Sequence, residues 1–164
     1  MRVFAHNSSM TPLMTPLTHL PAFELTDSRG TLHRSQTYQG APLVIYFIRD
    51  PKKIPTMAMV NAFHESKKDF HKQGVALLGM SARTQADNAQ LFKALALNHP
   101  LLSDPTLETI KALGAWRTPK AQGRWNGVIP GAVLADAAGR IVDSWFSIRK
   151  LETIPELIRA RFRQ

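Results

Sequence analysis

Arg49, Asp50, Lys52, Lys53 and Thr56 crowd into a few residues at the start of the stretch RDPKKIPTMAMVNAFHES. Pro51 and Pro55 stop the apolar run upstream from continuing as a strand. Met57, Val60, Phe63 and Phe70 then recur at helical spacing, which predicts a helix from Thr56 to Gln73. Thr56 stands where an N-cap would, its hydroxyl able to accept from backbone N–H groups that lack partners. A helix N-terminus preceded by three cations suits an anion, because the free N–H groups and the helix dipole both favour negative charge. Arg49, Lys52, Lys53 and Thr56 are therefore candidate ligand-binding residues, with the threonine as a hydroxyl donor.

Nucleophilic chemistry fits this stretch poorly. A threonine hydroxyl stays protonated and attacks only when a neighbouring base takes its proton. Asp50 is the one acid between Arg49 and Thr56, and His64 lies two turns along the helix. The chain has no cysteine, which excludes disulfides, thiolate metal ligands and thiol catalysis together. Six histidines raise a metal question. His64 and His71 share a helix face but are too far apart for one ion without a third ligand, so solvated or partly packed rings, no metal and no cofactor are expected. Met57 and Met59 could form sulfoxides as a sensor, although packing is the simpler role for helical methionines. The segment WRTPKAQGRW carries two tryptophans among three cations, a motif that could stack bases or face a partner.

The elements that must position these residues follow from pattern. PAFELTD alternates and SRG turns, so a strand or short hairpin opens the domain. APLVIYFI and VALLGMSA read as strands buried on both faces. QADNAQLFKALALNH is helical up to Pro100, PLLSDP is a short extended piece, and TLETIKALGAW is a short helix stopped at Gly114. GAVLADAAGRIVDSWFS is a hairpin, and LETIPELIRARFR is a helix with Leu151, Ile154, Leu157, Ile158 and Phe162 on one stripe. This order implies an α/β fold, a central mixed sheet flanked by helices.

The 164 residues fit one domain, expected over 20–164 behind a flexible lead-in over 1–19. A 44% hydrophobic composition is that of a globular chain, and no apolar run is long enough for a membrane span. The N-terminal stretch has no continuous apolar block, so a cytoplasmic location is expected. A net charge of +9 favours an anionic small molecule or an acidic protein partner over a membrane. Nucleic acid is a weaker candidate, since cations and aromatics interleave only in WRTPKAQGRW. The sequence leaves monomer and homodimer open.

Four strings carry a family resemblance: LPAFELTDSRGTLH, GVALLGMSA, HPLLSDPTLETIKALGAW and GAVLADAAGRIV. Together they resemble peroxiredoxins of the bacterioferritin-comigratory-protein type, in the alkyl hydroperoxide reductase/thiol-specific antioxidant superfamily, over residues 20–162. The resemblance implies a thioredoxin-like fold and thiol-dependent hydroperoxide reduction. It places the peroxidatic cysteine on Thr56 and the resolving cysteine on Asn61. The motif proline falls on Arg49, the motif threonine on Lys53, and the peroxide-polarising arginine on Pro130. All five are replaced, and a one-residue shift would put Met57 at the nucleophile position with the same result. The likeness of GVIPGAVLAD to thioredoxin-type proteins implies a cis Ile129–Pro130 bond. It also implies that the loop carrying Arg117, Lys120 and Arg124 lies on the Thr56 side of the sheet, which adds those cations to the ligand-binding set. The expected role is a redox-inactive binding protein. The alternatives are a cysteine-free variant of an active thiol peroxidase, or an enzyme of another class using the basic pocket.

Overall fold

The computed structural model describes residues 18–118 and 127–163. Strand β3 (Leu43–Ile48) is buried at all six positions, as its unbroken apolar run requires. It is the centre of a five-stranded sheet with β4 (Ala76–Ser81), β5 (Leu101–Ser103), β6 (Gly131–Ala135) and β7 (Ile141–Phe146), in the order β5-β4-β3-β6-β7. Strands β3, β4 and β5 run parallel, whereas β6 pairs antiparallel with both β3 and β7. The sheet is mixed, as expected. A separate hairpin of β1 (Glu24–Thr26) and β2 (Leu32–Arg34) joins it through a bridge between Asp27 and Leu102.

The parallel strand pairs need crossovers, and helices supply them. Helix α1 (Ile54–Lys72) links β3 to β4, and α2 (Gln85–Leu95) links β4 to β5. Two more helices follow, α3 (Glu108–Ala112) and α4 (Ile154–Arg161). Alternation along β3 sends Val44, Tyr46 and Ile48 to one face, where Met59, Val60, Phe63 and Phe70 of α1 cover them with Ile154 and Ile158 of α4. Leu43, Ile45 and Phe47 face the other way, against Phe23, Ile110 and Val128. Burying a side chain such as Phe63 completely contributes on the order of 1.5–3 kcal/mol, so the four buried apolar side chains of α1 fasten it firmly to the sheet.

Several boundaries differ from the sequence reading. Helix α1 begins at Ile54, and its N-cap is Lys53, not Thr56. Pro55 is tolerated because the first turn of a helix has no use for its missing N–H, so Thr56 is the third helical residue and is buried. Helix α2 ends at Leu95, well before Pro100, because Ala96 adopts a left-handed conformation (φ 50°). The last helix is a 3-10 turn over Leu151–Thr153 followed by α4, which restarts with Pro155 in its first turn. Leu151, Ile154 and Ile158 are buried, but Leu157 is exposed. At about 100° per residue it projects to one side of the line through Ile154, Ile158 and Phe162. The Ile129–Pro130 bond is trans. Its backbone continues an extended run into β6, held by the Ile129 N–H bond to the Ala115 carbonyl at 2.8 Å and by the Trp116–Val128 bridge.

Among the described residues no helix is long and apolar enough to cross a membrane. The expected lead-in falls mostly outside the described residues. Thr18 and His19 already touch the β6–β7 hairpin, through the Thr18 carbonyl with Ile141 N–H at 3.0 Å and a bridge from His19 to Arg140.

Candidate functional site

The chain leaves β3 at Ile48 and turns through a short loop into α1. Asp50 shapes that loop. Its carboxylate accepts from Lys52 N–H at 3.0 Å, and its carbonyl accepts from Lys53 N–H at 3.1 Å. Lys53, as N-cap, gives the helix no side-chain cap. Lys52 and Lys53 are exposed, Arg49 is half-buried, and Thr56 is only 2% exposed. Beside them Ile54 is 83% exposed, an apolar side chain at the mouth of a charged turn.

Pro130 comes to the same end of the sheet. Gly131 is the register partner of Phe47, so the residues before Gly131 run alongside the end of β3 from which Arg49 emerges. Arg117 sits just beyond, exposed, its N–H bonded to the Gly127 carbonyl at 2.8 Å. Trp116 is partly buried against the second core, with the Lys111 ammonium 5.0 Å from its ring, and it closes on Gly127 so tightly that a β-carbon there would lie 2.6 Å from the indole. Lys120 and Arg124 lie outside the described residues, as does Trp125. Asn61, the expected resolving position, is exposed on α1. Arg49, Lys52, Lys53 and Thr56 thus lie together at the turn into α1, with Thr56 beneath the surface and the lysines at it.

Sequence reasoning missed three buried polar networks. At the ends of β4 and β5, Ser81 Oγ donates to Asn88 Oδ1 at 2.7 Å, and Asn88 Nδ2 donates to Ser103 Oγ at 2.8 Å. Asp104 follows, accepting from Ile110 N–H at 2.7 Å. Burial pushes its carboxyl above the usual range despite the backbone bonds that oppose this. In the core, Tyr46 Oη lies 2.6 Å from His99 Nε2, and His99 Nδ1 lies 2.9 Å from Asn98 Oδ1. His99 is 3% exposed, so it is not the solvated or partly packed ring expected of the histidines. In the hairpin, Asp27, His33 and Tyr38 form a chain with contacts of 2.7 Å and 2.6 Å. Ser81 and Ser103, polar residues closing the apolar strands β4 and β5, were the available signal, whereas Asn88 stands among polar neighbours in α2. His64 and His71 lie along α1, His64 half-buried and His71 exposed. Met59 is fully buried, and Met57 is half-buried.

With this geometry in place, known proteins are informative. A profile described as the AhpC/TSA family matches residues 16–144. A Mycobacterium tuberculosis protein named as a peroxiredoxin is 28% identical over 150 residues, covering 91% of this chain and 96% of that protein. The chloroplastic peroxiredoxin Q of Suaeda salsa is 26% identical, covering 77% and 63% respectively. Among solved structures, the peroxidoxin BcpB of Mycobacterium tuberculosis superposes with a TM-score of 0.79 at 20% identity, over 88% of this chain and 94% of its own. The Xanthomonas campestris bacterioferritin comigratory protein gives 0.76 at 20% identity, over 86% and 92%. These structural likenesses establish the thioredoxin-like peroxiredoxin fold. The profile match and the curated relatives go further: this chain belongs to the AhpC/TSA family, among peroxiredoxins of the bacterioferritin-comigratory-protein and Q type, and it carries no cysteine.

Proposed function

We propose that this chain is a non-catalytic binding protein on a peroxiredoxin scaffold, taking an anionic small molecule or acidic partner at the basic turn before α1. The observation that carries the reading is a cysteine-free sequence in which Thr56, in the first turn of α1, is buried while Lys52 and Lys53 just before the helix are exposed. Peroxide reduction of the family's kind needs an ionised thiol, and losing a nucleophile typically costs on the order of a million-fold in rate. What the turn does offer is positive charge, an N-cap whose side chain does not close the helix, and the favourable end of a 19-residue helix dipole. An enzyme of another class would need a base, and Asp50 is the one acid between Arg49 and Thr56.

Two measurements test this. With a thiol reductant supplied, hydrogen peroxide consumption is expected to match a cysteine-free control protein; consumption well above it refutes the reading. Inorganic pyrophosphate, followed by calorimetry at low ionic strength, is expected to bind and to weaken by roughly tenfold in a Lys52→Glu, Lys53→Glu double variant. Binding that is absent, or unchanged by the double variant, removes the anion site.

A further inference from the structure

The chain has two tyrosines, and each holds its phenol oxygen 2.6 Å from a histidine ring nitrogen: Tyr38 with His33 Nδ1, Tyr46 with His99 Nε2. Their surroundings differ. Asp27 Oδ2 lies 2.7 Å from His33 Nε2, while Asp27 Oδ1 accepts from the N–H groups of Arg29 and Thr31 at 2.9 and 3.0 Å. Burial pushes the Asp27 carboxyl upward, but the bonds from His33, Thr31 and Arg29 outweigh it and hold the group below the usual range. Asp27 is therefore a carboxylate, which can only accept. His33 Nε2 must carry a hydrogen toward it, and a neutral ring then leaves the Nδ1 lone pair facing Tyr38. Burial first and the Asp27 charge second keep the Tyr38 phenol protonated, so toward the neutral His33 ring Tyr38 is the donor.

A phenol that loses an electron becomes a strong acid, so it is oxidised readily only where a base can take its proton. We propose that Tyr38 is a one-electron oxidation site for peroxyl radicals, with His33 as the proton acceptor and Asp27 as the carboxylate that steadies the resulting imidazolium. In the step, one electron leaves the Tyr38 phenol for ROO•, the Tyr38 O–H bond breaks and an N–H bond forms on His33. The products are a phenoxyl radical, an imidazolium and ROO⁻, which takes a proton from water and leaves as ROOH. Tyr38 is partly exposed and lines a small cleft of mixed character, with Leu20 and Ala138 beside His19, Gln39 and Asp136, through which a small radical can reach the phenol.

Tyr46 is the built-in contrast. His99 is bonded to Tyr46 and to the Asn98 amide, neither of which can balance a charge on the ring. Tyr46 is fully buried and stacked on Phe63. It has a hydrogen bond to a ring nitrogen, but an imidazolium formed there would have no carboxylate beside it.

The test oxidises the full chain with azide radicals and follows phenoxyl absorption. The signal is expected to persist in Tyr46→Phe and to vanish in Tyr38→Phe. In His33→Gln its formation should slow by roughly tenfold, the loss that one charge-assisted hydrogen bond represents. In the unmutated chain, deuterated water should slow it measurably. An undiminished signal in Tyr38→Phe, an unchanged rate in His33→Gln, or no phenoxyl signal at all overturns the proposal. Should His33→Gln not fold, the isotope comparison on the unmutated chain decides alone, and equal rates in the two waters overturn it.

Discussion

Acidification should destabilise this fold through one histidine. His99 is 3% exposed, and burial, followed by the charges of His64 and Lys67, pushes its pKa from 6.5 down to about 4. The sign follows from linkage. Above about pH 6.5 the ring is neutral in folded and unfolded chains alike, so it contributes no penalty. Between about pH 6.5 and 4 the unfolded chain takes up the proton and the folded one does not, so stability falls as pH falls. With about 1.36 kcal/mol per pKa unit, the penalty grows to about 2 kcal/mol by pH 5 and about 3 kcal/mol by pH 4. Other groups titrate in this range, so the informative comparison is with His99→Gln. Glutamine can still bond the Tyr46 hydroxyl but binds no proton. Urea unfolding at about pH 7 and 5 should show the unmutated chain losing about 2 kcal/mol more than the variant, with similar m-values. Equal losses in the two proteins would refute the argument, since they would mean that His99 is not held neutral inside the fold.

Two further substitutions probe the same core and its edge. Gly79→Ala places a β-carbon 2.8 Å from the Tyr46 ring and hydroxyl, which displaces Tyr46 from His99; thermal unfolding should show a loss of about 1–3 kcal/mol. Asp143→Ala removes a fully buried carboxylate 3.2 Å from Arg161 Nε. Because Arg161 is partly exposed, a loss of about 2 kcal/mol is expected, with earlier proteolysis of α4; unchanged stability and cleavage would show that the pair does not fasten the helix.

The sheet could be read from sequence because β3 is buried on both faces and its residues are apolar without a gap. The hairpins were legible for a different reason, their turn chemistry: Asp27 accepts from Arg29 and Thr31 around Gly30 (φ 85°), as an SRG turn after an aspartate suggests. Helix ends were less legible. Pro55 looked like a boundary and is instead inside the first turn, which moved Thr56 from cap to buried helical residue. At Pro130 the likeness to thioredoxin-type proteins implies a cis bond, and the bond is trans, with the Ile129 N–H paired to the Ala115 carbonyl. The Tyr46–His99 bond joins residues far apart in the chain, so no local pattern announces it. At the candidate site the residue types were visible, but the burial of Thr56 against the exposure of Lys52 and Lys53 was not, because both follow from how α1 docks on the sheet.

Arg161 reaches from α4 to the outermost strand, bonding the Val142 carbonyl at 3.4 Å while facing Asp143. An unguarded strand of this kind invites pairing with another polypeptide. The C-terminal helix therefore acts as a guard rail as well as a piece of the core. A chain shortened by its last few residues would lose the Arg161 bond to the Val142 carbonyl and uncover β7, and self-association through that strand would be the natural outcome.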